Sequence, residues 1–110
     1  MDKIVTKRRI LSQISAETTL QEIEELDLLR RLRAANKTAW TKGSGLAAIQ
    51  IGIPVRFAWY NHNGREGQLI NPVITQRWGS DTAQEGCLSI PNKWMWVERS
   101  WTIEYETGFK

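Results

Sequence analysis

With 110 residues, 41% hydrophobic and 25% charged, the chain can form one small domain around a single core, in the balance usual for a globular protein. No apolar stretch approaches the roughly 20 residues a membrane-spanning helix needs, and no apolar segment follows the charged N-terminus as a secretory leader would require, so a cytoplasmic location without membrane contact is expected. The net charge of +3 is dispersed: Lys7-Arg8-Arg9 and Arg30, Arg31 and Arg33 read as solvated faces, and no concentrated basic stripe suggests DNA binding.

Residues 1–18 read as irregular, with apolar pairs at Ile4-Val5 and Ile10-Leu11. Thr19-Leu20-Gln21-Glu22 is a capping-box pattern. The apolar positions 20, 23, 26, 29 and 32 that follow predict a helix from about Leu20 to Ala35, with Asp27 and Arg31 as an i,i+4 pair. Residues 36–45 read as a loop, and the apolar run Leu46 to Ile51 ends at Gly52 and Pro54. Val55 to Tyr60 has strand composition, Asn61-His62-Asn63-Gly64 is a hairpin turn, and Gly67 to Ile70 is its return strand. A further strand is expected over Val73 to Trp78, a turn at Gly79-Ser80-Asp81, and an alternating strand over Trp101 to Glu106. Thr107-Gly108 reads as a turn and Phe109-Lys110 as the start of a partner strand, which makes the single domain of residues 1–110 look truncated. The elements together predict an α+β fold, an N-terminal helix packed on mostly antiparallel strands. A sheet left without a covering helix would expose an apolar face.

Two segments carry chemistry. In Gly43-Ser44-Gly45-Leu46-Ala47-Ala48-Ile49-Gln50, glycines permit close backbone approach, and the Gln50 amide, set in an apolar run, needs a hydrogen-bonding partner from backbone or substrate. A purely structural turn is the alternative, and the phosphate-loop pattern is absent. In Glu85-Gly86-Cys87-Leu88-Ser89-Ile90-Pro91, the lone cysteine is either a small buried hydrophobe, a nucleophile or a soft metal ligand. Gly86 would permit an unusual backbone angle, and a backbone amide beside Cys87 could hold a developing oxyanion. Of six tryptophans, Trp40, Trp59, Trp78, Trp94, Trp96 and Trp101, each reads as core or surface packing, while Trp94 and Trp96 could also wall a substrate groove.

The pair of segments, Gly-x-Gly-Leu-Ala-Ala-x-Gln followed by Glu-Gly-Cys-Leu-Ser, resembles the first two signature motifs of the peptide deformylases, and the likeness extends from roughly Thr19 to Lys110. It implies a peptide-deformylase-like fold and a metallohydrolase, usually with iron(II) and otherwise zinc, nickel or cobalt, that removes the formyl group from N-formylmethionyl nascent peptides. By the resemblance Cys87 is the metal ligand, Gln50 and the Leu88 backbone amide stabilise the oxyanion, Gly45 contacts the substrate backbone, and Glu85 is a supporting polar residue on the substrate side. Trp94 stands where some members carry a substrate-binding Arg. The third motif, His-Glu-x-x-His on a C-terminal metal-binding helix, is absent; the only histidine is His62, in the Asn-rich turn. The isolated chain is therefore expected to be inactive or to depend on a missing segment. N-formylmethionyl peptides, the ribosome and a second polypeptide supplying His-Glu-x-x-His are the candidate partners. Two alternatives stand beside this: a non-catalytic peptide-binding protein derived from a deformylase, and a cysteine hydrolase using Cys87 with His62.

Overall fold

The computed structural model describes residues 2–39 and 42–108. Trp40 and the strand start expected at Phe109-Lys110 lie outside the described residues. Three helices come first, α1 (Arg8–Leu11), α2 (Leu20–Glu25) and α3 (Leu28–Thr38), followed by strands β1 (Gly45–Ala47), β2 (Phe57–His62), β3 (Arg65–Ile70), β4 (Val73–Trp78), β5 (Asp81–Cys87), β6 (Ile90–Arg99) and β7 (Thr102–Glu106). A 3-10 turn, Ala48–Ile51, follows β1. The class is α+β, as expected.

The predicted single helix over Leu20 to Ala35 is in fact two. Apolar positions three residues apart fall about 60° behind a 3.6-residue helix at each step, so one straight helix cannot turn all of them to the same core. The chain resolves this at Asp27, which takes the left-handed conformation (φ 51°) that Asp tolerates better than most residues. After the break, Leu28, Leu32 and Ala35 form an i, i+4, i+7 stripe that is fully buried. The expected Asp27–Arg31 pair is not made. Asp27 instead pairs with Arg30, and Arg31 turns to the N-terminus, where its Nε and Nη2 donate to Asp2 at 2.9 and 2.8 Å and its Nη1 to the Leu26 carbonyl at 3.1 Å. The Thr19 hydroxyl accepts from the Glu22 amide as a cap, but the Glu22 carboxylate accepts from the Thr18 hydroxyl rather than closing the box on the backbone. The segment read as irregular holds α1, and Ala16 bridges to Val55.

Strands β1, β2 and β3 form one antiparallel sheet in that order. Asn63 and Gly64 both have positive φ, as a two-residue turn matching the strand twist requires, so His62 faces Arg65 and the register follows. β4 pairs antiparallel with β7, and β5 with β6 as a hairpin inserted between them. Helix α3 lies against the first sheet. The core consists of Ile23, Leu28, Leu32 and Ala35 from the helices, Leu46, Ala48, Ile51, Phe57 and Trp59 from the sheet and its 3-10 turn, and one residue from further along, Leu88. Leu88 is thus the only buried hydrophobic residue that the β4–β7 region contributes among the described residues. Elsewhere on those strands Val73, Ile74, Met95, Ile103 and Tyr105 are exposed, but they are divided between two separate sheets and, at Val73 and Ile74, between opposite sides of one strand. Of the tryptophans described, only Trp59 is buried; Trp78, Trp94, Trp96 and Trp101 are exposed.

Candidate functional site

The first motif is built by backbone approach. Gly45 begins β1 opposite Tyr60, and a Cβ on Gly45 would stand 2.8 Å from the Trp59 carbonyl oxygen, closer than side chains pack, so glycine lets β1 lie this near β2. The Ser44 carbonyl accepts from the Asn61 amide at 2.8 Å, while the Ala47 amide is taken by the Gln50 side chain. Backbone groups along an antiparallel strand alternate between facing the partner and facing away, so Gly45 N–H and C=O point to the free edge of β1.

Gln50 closes the 3-10 turn after β1 and is partly buried. Its Oε1 accepts from the Ala47 amide at 3.1 Å, and its backbone carbonyl accepts from the Val5 amide at 2.7 Å. Its Nε2 donates to Ser89 Oγ at 3.2 Å and lies 3.9 Å from Cys87 Sγ. The amide therefore has the backbone partner that an amide within an apolar run requires, and it also reaches the second motif.

That motif occupies the tip of the β5–β6 hairpin. Cys87 pairs with Ile90 across a two-residue turn formed by Leu88 and Ser89. The Leu88 side chain enters the core beside Gly43, where a Cβ would meet its Cδ1 at 3.1 Å; the Gly43 amide is tied to Asn36 Oδ1 on α3 at 2.8 Å. Seating Leu88 leaves the Cys87 thiol exposed on the other side of the turn, facing Gln50. Residues 37 and 39 apart in sequence thus meet through Gln50, Cys87 and Ser89.

Glu85 lines a groove with Cys87, Met95, Val97 and Arg99. Both of its carboxylate oxygens accept from Arg99, at 2.8 and 3.1 Å, and that hydrogen bonding holds the carboxyl below its usual range and raises the guanidinium. Gly86 has no unusual φ; it lies within β5, and the Trp94 ring packs 3.6 Å from where its Cβ would be. Strand alternation places Trp94 and Trp96 opposite Gly86 and Gln84, on the face away from Met95 and Val97. They do not wall the groove that Cys87 lines. His62 sits at the far end of the β2–β3 hairpin with its ring against Asn63, and no hydrogen bond joins it to Cys87. The one participant that residue types alone did not single out is Ser89, whose signal was its place next to Leu88 in the second motif.

Chemically, the arrangement offers an amide donor from Gln50, a free thiol and an open strand edge. For a metal, Cys87 is one soft donor, but among the described residues no group of three or more His, Cys, Asp or Glu side chains could hold an ion. The described residues alone therefore do not make a catalytic metal site. Among them, no helix is long and apolar enough to cross a membrane.

A family model described as polypeptide deformylase matches residues 1–108. The peptide deformylase of Rhodopirellula baltica is 44% identical over 66 residues, which cover 56% of this chain and 33% of that protein. That of Helicobacter pylori strain Shi470 is 34% identical over 96 residues, covering 78% and 52%. The chain thus spans about a third to three-fifths of the length of the curated relatives it matches. Among solved structures, the peptide deformylase from Thermotoga maritima superposes with a TM-score of 0.84 at 28% identity, over 97% of this chain and 73% of that one. The deformylase of Vibrio parahaemolyticus bacteriophage VP16T, solved with actinonin, gives 0.75 at 29% identity, over 96% and 85%.

Proposed function

The chain belongs to the polypeptide deformylase family, and on that premise we propose that it supplies the substrate-binding and oxyanion-stabilising half of a deformylase site. Members of the family are metalloenzymes that remove the N-formyl group from nascent peptides. The observation that carries the proposal is the convergence of Gln50 on Cys87 and Ser89 across the two motifs. An N-formylmethionyl peptide would lie along the free edge of β1, using the backbone of Gly45. Its formyl oxygen would accept hydrogen bonds from Gln50 Nε2 and the Leu88 amide, which strengthen as negative charge develops on that oxygen. Glu85, held by Arg99, would shape the groove on the substrate side. Cys87 would be one ligand of a divalent metal, iron(II) first and zinc, nickel or cobalt as substitutes. The remaining ligands and the general base would come from a His-Glu-x-x-His segment outside these residues, on the same chain or on a second polypeptide; the ribosome, which presents the substrate, is the further partner, in the cytoplasm.

A second reading has an observation in its favour. The lack of a clustered ligand set among the described residues suits a non-catalytic binder of formylated peptides. The two are separated by titrating the full chain with formyl-Met-Ala-Ser and with its unformylated counterpart, then assaying turnover with nickel(II), with and without a polypeptide bearing His-Glu-x-x-His. Selective binding of the formyl peptide that weakens in Gln50→Ala is expected, with turnover only in the complemented mixture. Binding without turnover under either condition would leave the binder. Equal or absent binding of both peptides would refute both readings.

A further inference from the structure

We propose that Ser89 is a positioning residue that fixes which way the Gln50 amide faces, and so aims its second N–H at the Cys87 side of the site. The inference rests on Gln50 being the donor to the substrate oxygen, but its structural content can be tested without that.

A glutamine amide has an acceptor end and a donor end of nearly equal size, and only its partners decide which way round it sits. At Gln50 one partner is the Ala47 amide, which can only donate, so it requires Oε1 at 3.1 Å. That single bond still allows the amide plane to swing about it. The second partner is Ser89 Oγ, which accepts from Nε2 at 3.2 Å. Two anchors at opposite ends of a planar group define its plane. Nε2 carries two hydrogens; with one on Ser89, the other is directed towards Cys87, whose sulfur at 3.9 Å is at the limit of hydrogen-bonding reach. A carbonyl oxygen entering that space would be the better acceptor.

Ser89 suits this task because it is 4% exposed, so water does not compete well for its hydroxyl. It is also held in place: its neighbour Leu88 is seated in the core, and the pair forms the whole turn between Cys87 and Ile90. A serine retained only for turn propensity would be expected at the surface, with its hydroxyl bonded to its own turn or to water. Here the hydroxyl meets a residue 39 positions away on a different element. The bond also couples the two motifs: displacement of the turn would move the Gln50 donor with it.

The test uses the full chain, ¹⁵N-labelled, with the Gln50 side-chain amide identified by its loss in Gln50→Glu. In the wild type its two protons should be separated from those of the exposed glutamines and exchange with solvent slowly. In Ser89→Ala, which removes one oxygen and adds nothing, exchange should accelerate by about tenfold, the value of one ordinary hydrogen bond, and the pair should move towards the exposed positions. Ser89→Thr, which keeps the hydroxyl, should restore the wild-type signature. The buried Trp59 indole signal should stay unchanged in every variant and so report intact folding. A Gln50 amide that is the same in Ser89→Ala as in the wild type, or already averaged in the wild type, would overturn the proposal. Affinity for formyl-Met-Ala-Ser should fall about tenfold in Ser89→Ala if the aimed N–H is the substrate donor. An altered amide signature in a chain that never binds the formyl peptide would support the positioning role while removing the deformylase reading.

Discussion

Leu88→Ala addresses the dependence of the site on the core. Leu88 is 8% exposed and is the single buried hydrophobic residue that the β4–β7 region contributes among the described residues. The substitution deletes three carbons, about 2.4 kcal/mol at ~0.8 kcal/mol for each buried methylene. Incomplete collapse around Gly43 adds a cavity contribution, giving about 2.5–4 kcal/mol in total. A chain of this size has roughly 5–15 kcal/mol of stability, so most molecules should remain folded at room temperature while the β5–β6 turn loses its anchor. Urea unfolding followed by tryptophan fluorescence suits the measurement, because Trp59 is buried in the same core. Trp94→Ala is the control: that side chain is 73% exposed, and its removal should change stability by no more than about 0.5 kcal/mol. A Leu88→Ala loss below about 1 kcal/mol would refute the idea that this side chain pegs the second motif to the core.

Two further outcomes are expected. Gly45→Ala should cost about 1–3 kcal/mol by urea denaturation, since its Cβ would meet the Trp59 carbonyl at 2.8 Å and backbone must move, and it should weaken formyl-peptide binding at the β1 edge. Asp2→Asn should cost about 0.5–1 kcal/mol near neutral pH by removing a two-pronged pair with Arg31. Hydrogen bonding to Arg31 lowers the Asp2 pKa below its ordinary 3.8. The stabilisation is therefore fully present above that value and is lost as pH falls through the lowered one, so wild type and variant should converge in acid. A stability difference that persists at the lowest pH where the chain still folds would contradict this assignment.

Much of the architecture was legible in local chemistry. Asn63-Gly64 announces its turn because few other residues adopt two consecutive positive φ angles, and the turn in turn sets the β2–β3 register. The strand over Val73 to Trp78 and the cap at Thr19 follow from residue type in the same way. The two motifs declared their family through the order and kind of their residues. Other features could not be read along the chain. The break at Asp27 depends on where the core lies relative to α2 and α3, because only that decides which of the three-spaced apolar residues must turn inward. Arg31 chose Asp2, 29 positions away, over the neighbour that helix geometry offered. The placement of Trp94 and Trp96 on the face away from Cys87 depends on a register shift between Gly86 and Cys87. Local propensity therefore determined the elements and the residue types available for chemistry. The assembly of Gln50, Cys87 and Ser89 into one site was decided by tertiary packing, because seating Leu88 in the core places the hairpin tip against the turn after β1, and no pattern of neighbours in sequence encodes that distance.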